Sequence, residues 1–302
     1  MTEPRVAVVV RTKNRPDLLE RALRSITSQT LAEWECIIVN DGGDRDPVEA
    51  LVSVLPPHQR EQVRIIHHET PRGRWISANA GVLAATAPLL VLHDDDDTWH
   101  PEFLDRAASY LEREDNTHRG GVVSRIEIVW EEQTERGFVE TGRDIFQPQL
   151  TAPTLSDALL FNRFVPIGFV YRRSIHQELG LYDESLPVVG DWNFALKVLT
   201  RGPLEYLGPV PYAYWHQRPG QGGNSGNSVI EAREDHRRVD AQIRDAALRE
   251  YVQQHGIGLP LYLTKFIDQR LVDVESRLVA EVERYSLPER AGRTIKKLFG
   301  RG

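Results

Sequence analysis

Four consecutive carboxylates, Asp94, Asp95, Asp96 and Asp97, follow almost directly on the apolar run Leu89–Leu92. Four like charges in a row repel one another at neutral pH, so the run makes sense where something cationic belongs. Carboxylates bind hard cations through oxygen, and Mg²⁺ or Mn²⁺ usually takes one or two acids from protein and the rest from water and phosphates. In an extended segment Asp94 and Asp96 point one way and Asp95 and Asp97 the other. An Asp-x-Asp pair at a strand end can therefore hold one metal, with its neighbours left for a ribose or for supporting hydrogen bonds. A solvated acidic turn is the plain alternative. An EF-hand loop is disfavoured, because its later Gly and Glu are missing.

Two further segments present polar residues straight after a buried apolar run, VAVVVRTKNRP and IIVNDGGD. Thr12 and Asp41 stand at those ends. Asp41 can accept hydrogen bonds from a base or ribose, or it can simply shape the Asp-Gly turn. Cys36, the single cysteine, lies inside an apolar run and reads as a small buried hydrophobe rather than a nucleophile.

The elements that must position these residues follow from periodicity. Val6–Val10 is a short β-branched run, as in a strand buried on both faces. Leu18, Leu19, Ala22, Leu23 and Ile26 then line one face of a helix that starts at Asn14 or at Arg15–Pro16. Further strands are expected at Glu35–Asn40, Val63–His67 and Leu89–Leu92, and helices at Asp46–Leu55 and Trp75–Thr86. Such alternation predicts a parallel α/β sheet with ligands at the carboxyl ends of its strands, where Thr12, Asp41 and the aspartates fall. In the middle, Gly121–Trp130 and Gly137–Phe146 read as a hairpin joined by a charged turn at Glu131–Arg136. Ser156–Leu160 reads as a short helix, Phe169–Arg172 as a strand and Asp191–Thr200 as a helix. Tyr206–Leu207 and Tyr212–His216 read as separate strands, and Gln217–Ser228 as a mobile, Gly/Asn/Ser-rich loop that could serve as a lid. From Val229 the pattern is helical, broken around Gly256–Pro260. The expected division is a domain over 1–220, with halves at about 1–100 and 101–220, followed by a loop and helical extension over 221–302.

Composition narrows the function. The chain has 302 residues, 40% hydrophobic and 27% charged, with a net charge of −7. That is ordinary for a soluble globular protein, and it argues against nucleic acid as a partner, which calls for a basic surface. One cysteine excludes an internal disulfide and fits a reducing compartment. No apolar run reaches the roughly 20 residues that span a bilayer, and the first residues lack a secretory h-region, so a cytoplasmic location is expected. The basic tail Arg290–Arg301, with Ile295, Leu298 and Phe299 interleaved, reads either as a frayed basic C-terminus or as a contact with the inner face of the plasma membrane.

The series VVVRTKNRPDLLERALRSITSQT, VNDGGD, RGRWISANAG and LHDDDDTWHPEFL, followed by ELGLYDESLPVVGDWNFALKVL, closely resembles family 2 glycosyltransferases of the GT-A (nucleotide-diphosphosugar transferase) fold. The resemblance runs from about Val6 to about His216. It implies a central sheet flanked by helices and an inverting, metal-dependent transfer of a sugar from a nucleotide donor. Thr12 and Asp41 match residues that hold the nucleobase. Asp94 and Asp96 match the Asp-x-Asp pair, the first turned toward the ribose and the second toward Mn²⁺ or Mg²⁺, with Asp94 and Asp95 also on the donor. Asp191 matches the acid proposed as general base, where a plain helix N-cap is the alternative. His216, in YWHQRPG, matches a position where a histidine can complete the metal shell, although an ordinary hydrogen-bonding role fits it equally. Arg15, Arg72, Arg74 and Asn79 fall among the nucleotide-sugar contacts. The expected donor is a UDP-sugar, with dTDP and GDP as alternatives, and the expected acceptor a glycan or lipid-linked glycan of the bacterial surface.

Two positions depart from the family pattern. Where many relatives read Ala-Arg-Asn in the third motif, this chain has Ala78-Asn79 without the arginine, so Arg72 or Arg74 becomes the candidate for the diphosphate. The usual Glu-Asp pair is Gly190-Asp191, which leaves Asp191 alone as base. A sugar nucleotidylyltransferase would need a Gly-rich phosphate loop after the first strand, and RTKNRPD has none. A non-catalytic glycan-binding domain would have no need of Asp41, Asp94, Asp96 and Asp191 together.

Overall fold

The computed structural model describes residues 3–135, 137–219 and 233–299, with side chains omitted at 233 and from 283 onward. The chain divides into two compact units, Met1–Asp240 and Ala241–Gly302. The glycine-rich stretch beyond Pro219 and the side chains of the basic tail, the proposed lid and membrane contact, lie outside the described residues.

In the first unit the apolar runs become the centre of one sheet. Strands β1 (Val6–Thr12), β2 (Trp34–Asp41), β3 (Val63–His68) and β4 (Leu89–Asp94) pair in parallel in the order β3-β2-β1-β4. Val6 to Val10 and Cys36 to Val39 are wholly buried, as two-sided burial of a parallel strand requires. Helix α1 (Pro16–Thr27) joins β1 to β2, and α2 (Arg45–Ser53) with the short α3 (Pro57–Arg60) joins β2 to β3. Helix α4 (Arg74–Ala84) brings the chain back across the sheet to β4 on the far side of β1. It packs close to the sheet at Gly81, where any Cβ would run into the Val9 side chain. The strand order reverses between β1 and β4, which is where sheets of this type open a crevice for ligands.

Beyond β4 the sheet becomes mixed. The short β5 (Thr98–Trp99) and helix α5 (Phe103–Glu112) lead to the long hairpin β6 (Gly121–Thr134) and β7 (Gly137–Ile145). Helix α6 (Leu155–Ala158), strand β8 (Phe169–Arg172), helix α7 (Ile175–Leu179), helix α8 (Gly190–Arg201) and strand β9 (Tyr206–Gln217) follow. β8 runs antiparallel to β4 and β6, and β9 lies parallel to β6 and antiparallel to β5. The sequence suggested a mainly parallel sheet; parallel pairing dominates its first half only.

Two expectations fail at this point. The charged turn placed at Glu131–Arg136 is strand as far as Thr134, and Glu131 is only 5% exposed. Charged residues suggested solvent, but Glu131 faces three basic side chains that the sequence places far away. Tyr206–Leu207 and Tyr212–His216 form one strand, whose pairing to β6 shifts around Arg125.

Helix α9 (Arg233–His255) carries the boundary between the units and ends at Gly256, whose φ of 81° suits a residue without Cβ. Helix α10 (Gly258–Phe299) forms most of the second unit. Among the described residues no helix is long and apolar enough to cross a membrane.

Candidate active site

Thr12, Asp94, Asp95, Asp96, Asp41 and Asp191 line one cavity of about 900 Å³ together with Arg11, Arg15, Arg74 and Trp75. The sheet explains the convergence. Arg11 on β1 stands in register with Asp94 on β4, so both sit at the carboxyl ends of adjacent parallel strands. Side chains alternate along a strand, and Arg11 and Thr12 use that alternation. Thr12 gives its hydroxyl to Asp95 Oδ2 at 2.7 Å, whereas Arg11 pairs with Asp94 and lies 5.2 Å from the ring centre of Trp75 on α4.

The four aspartates do not continue as a strand. The chain turns, with Asp97 N donating to Asp94 O at 3.2 Å, so the alternation expected for Asp94 and Asp96 stops at Asp94. Each acid takes its own partner. Asp94, 34% exposed at its side chain, pairs with Arg11. Burial pushes its carboxyl up, but the Arg11 and Arg74 charges outweigh that and hold it below the ordinary value. Asp95 accepts from Thr12 and, through both oxygens, from Arg15 at the start of α1. Burial raises its pKa even so. Asp96 pairs with Arg218 and lies 3.6 Å from Arg15. Asp97 accepts the backbone N–H of His216 at 2.8 Å; burial and the charges of Asp96 and Asp94 push it well above the ordinary value. His93, just before the run, is fully buried and its pKa falls to about 4, so it lends the acids no charge.

A second cluster borders this loop. Glu131 accepts from Arg21 of α1 at 2.6 Å, from Arg218 at 3.2 Å and from His216 Nδ1 at 2.7 Å. Burial raises its pKa, but His216 and Arg21 outweigh it and bring it to about 2. The other ring nitrogen of His216 meets the Thr98 hydroxyl at 2.8 Å. With both nitrogens engaged, the ring has no lone pair directed at a metal, and the expected metal role for His216 is not supported by this geometry. Arg218 is completely buried between Asp96 and Glu131.

The remaining expected residues divide between loop supports and cavity walls. Asp41 accepts the backbone N–H groups of Arg72 (2.8 Å) and Gly73 (2.9 Å) and meets His68 at 2.9 Å, so it organises the loop entering α4 rather than its own turn. Burial raises its pKa, but these donors lower it below the ordinary value. Arg72 reaches this cluster only through its backbone, and its side chain is exposed. Asn79 is spent elsewhere: its amide bonds Tyr182 N, Tyr182 O and Glu184 at 2.9–3.0 Å. It ties α4 to the Tyr182–Glu184 segment and has little capacity left for a donor sugar, which corrects its expected binding role. Arg74 lines the cavity.

Asp191 stands in the first turn of α8, and Asn162 donates to its Oδ2 at 2.8 Å. Burial raises its pKa, partly opposed by Arg11 and Arg74. Val189, immediately before this helix, holds φ 53°, a left-handed conformation that a β-branched residue rarely adopts. Gly190 explains the missing acid of the Glu-Asp pair. A Cβ there would come within 2.5–2.8 Å of the Trp75 indole, which stacks on Tyr182 at 5.4 Å. The large ring of Trp75 takes the room that a side chain at 190 would need.

Arg11, Trp75, Glu131, Asn162 and Arg218 escaped the sequence reading. Arg11 alone left a signal, as a charge at the end of an otherwise apolar strand. Magnesium or manganese would be compatible with the donor set, since Asp94 and Asp96 offer hard oxygen in the same cavity, where an ion would share them with Arg11 and Arg218, and such ions need only one or two protein carboxylates. Among the described residues no group of three or more acids, histidines or cysteines is placed to hold a metal unaided.

Residues 7–180 match the Glycosyl transferase family 2 model. The uncharacterized glycosyltransferase YwdF of Bacillus subtilis (strain 168) is 34% identical over 194 residues, 64% of this chain and 67% of the relative. A PGL/p-HBAD biosynthesis glycosyltransferase of Mycobacterium bovis is 26% identical over 235 residues, 76% of this chain and 82% of the relative. Among solved structures, S. aureus TarS 1-349 in complex with UDP-GlcNAc is similar with a TM-score of 0.54 and 20% identity. That likeness covers 72% of this chain and 60% of that one, and it bears on the fold. The family match spans the strands that carry Arg11, Thr12, Asp41 and the four aspartates, and the chain belongs to glycosyl transferase family 2.

Proposed function

We propose that the chain transfers a sugar, with inversion, from a nucleotide-diphosphate sugar to a hydroxyl of a bacterial surface glycan or glycolipid, and that Asp191 is the base. The observation that carries this reading is a buried carboxylate that accepts from Asn162, its pKa raised by burial, in the same cavity as the Asp94–Asp96 loop. A UDP-sugar is the first candidate donor, supported by the UDP-GlcNAc complex of the similar TarS fold. A glycan acceptor is supported by similarity to the succinoglycan biosynthesis protein ExoO of Rhizobium meliloti (strain 1021).

The acceptor oxygen attacks the anomeric carbon from the side opposite the diphosphate. Its proton passes to Asp191, which must be ionised to receive it. Asn162 fixes the orientation of that carboxylate through Oδ2. Thr12 and Arg15 hold Asp95, and so fix the acidic loop beside the donor. Asp94 and Asp96 would hold Mn²⁺ or Mg²⁺, which supplies Lewis-acid help to the departing diphosphate when bound.

Acid should stop the reaction early. The pKa of Asp191 is raised in the folded protein, so falling pH protonates it before an ordinary carboxylate and removes the base. The turnover rate at saturating substrates is expected to fall through a midpoint above 3.8, the ordinary value. A midpoint at or below 3.8 contradicts Asp191 as a buried base.

A further inference from the structure

Helix α10 carries a row of apolar side chains with no cover among the described residues. The helix runs 42 residues, and every residue from Leu261 to Val282 is exposed. Ile267, Leu271, Val274 and Leu278 are 51–64% exposed. Single apolar residues on a surface are ordinary, but a continuous row along one helix marks an interaction face. Helices draw most of their stability from packing such a row rather than from local preference, and a periodic helix of this length is typical of coiled coils.

The spacing of the row is specific. Ile267 to Leu271 is four residues, Leu271 to Val274 three, and Val274 to Leu278 four again. That alternation is the seam of a coiled coil; with the seven-residue repeat written a to g, Leu271 and Leu278 are a, and Ile267 and Val274 are d. The next seam positions, Thr264 and Glu281, are polar and bound it. The flanks then decide the partner. Arg270 and Arg277 fall at g, and Asp268 and Glu275 at e, so one flank is basic and the other acidic. In a parallel bundle a g side chain faces the e side chain of the next repeat in its neighbour, which sets Arg270 against Glu275. Leu263 and Val282 widen the apolar face at the outer g and e positions. Antiparallel pairing would set Arg against Arg and acid against acid. Within its own helix Arg270 reaches Asp273 at 3.8 Å, an exposed pair of the kind that is worth little and is readily exchanged.

We propose that α10 is a self-association element, forming a parallel coiled coil between copies of this chain along Ile267–Leu278. The two flanks complement each other, so a second copy supplies all that the face requires. A lipid surface fits less well. An interfacial helix is rich in Lys and Arg on its polar face, whereas from Gly258 to Val282 the acids Asp268, Asp273, Glu275 and Glu281 outnumber the cations Lys265, Arg270 and Arg277.

Analytical ultracentrifugation of the full chain tests this over roughly 1–100 µM, because self-association follows mass action. Wild type should sediment above the mass of one chain as concentration rises. Leu271→Glu and Leu278→Glu put charge into the seam and should each weaken association at least about tenfold, whereas Ser276→Glu, off the seam, should change it by less than about threefold. Arg270→Glu and Glu275→Arg should each weaken association, and the two together should restore it to within about threefold of wild type. Antiparallel pairing gives no such rescue, and the rescued double variant also excludes misfolding as the cause of the single losses. A wild type that stays at one chain throughout would overturn the proposal, as would association that survives both seam substitutions or charge swaps that fail to rescue. Flotation of the single chain with phosphatidylglycerol–phosphatidylcholine vesicles, lost in Leu271→Glu, would assign the face to lipid and overturn the proposal too. The glycosyltransferase reading stands apart from all these outcomes, since no residue of α10 lines the cavity.

Discussion

Replacing Asp191 with Asn is expected to lower the transfer rate by about 10²–10⁴-fold and to leave donor affinity within about threefold. The substitution keeps the size of the side chain and its contact with Asn162, but an amide cannot take up the acceptor's proton. His236 and Asp240 line the same cavity, so a variant of each serves as a control. Gly190 offers no side chain, and Asp94 is occupied by Arg11. The acids of the neighbouring loop are committed to Arg15, Arg218 and the His216 backbone. Steady-state rates together with calorimetric donor binding separate the two effects. Retained turnover would remove Asp191 as base, and loss of donor binding would show instead that Asp191 holds the donor.

Replacing Glu131 with Ala is expected to cost about 3–5 kcal/mol of stability, because it takes a buried carboxylate away from the basic side chains gathered around it. Glu131 is 5% exposed and Arg218 is wholly buried, so solvent cannot readily compensate. Arg21 and His216 lose the same acceptor. Asp96 would still pair with Arg218. Chemical denaturation measures the change, and a loss below about 1 kcal/mol, the scale of an exposed ion pair, would show that the cluster is solvated and structurally minor.

Much of the frame was legible because it depends on local pattern. The runs at Val6–Val10, Glu35–Asn40 and Leu89–Leu92 are apolar without alternation, and each became a central parallel strand. The helical spacing of Leu18, Leu19, Ala22, Leu23 and Ile26 likewise predicted the buried face of α1. From these strands it also followed that Thr12, Asp41 and the aspartates would gather at one end of the sheet.

What escaped the sequence depends on contacts between distant segments. Glu131 looked like part of a solvated turn, since nothing nearby in sequence reveals Arg21, His216 and Arg218 around it. The directions of the four aspartates are set by a turn and by partners from distant segments, which strand alternation cannot anticipate. Asn79 carried the right motif, but its amide is consumed by Tyr182 and Glu184, more than a hundred residues away in sequence. Gly190 could be recognised as a departure from the family, but its cause is the Trp75 ring, which only packing displays.

The most direct test of inverting sugar transfer follows the anomeric proton of the first sugar released. The protein with Mn²⁺ would be given UDP-, GDP- and dTDP-sugars of known anomeric configuration, with water as the surrogate acceptor, and the product read by ¹H NMR before it mutarotates. The expected result is slow release from at least one donor of the sugar with the opposite anomeric configuration, abolished in Asp191→Asn. First release of the same anomer as the donor would contradict a single-base inverting mechanism.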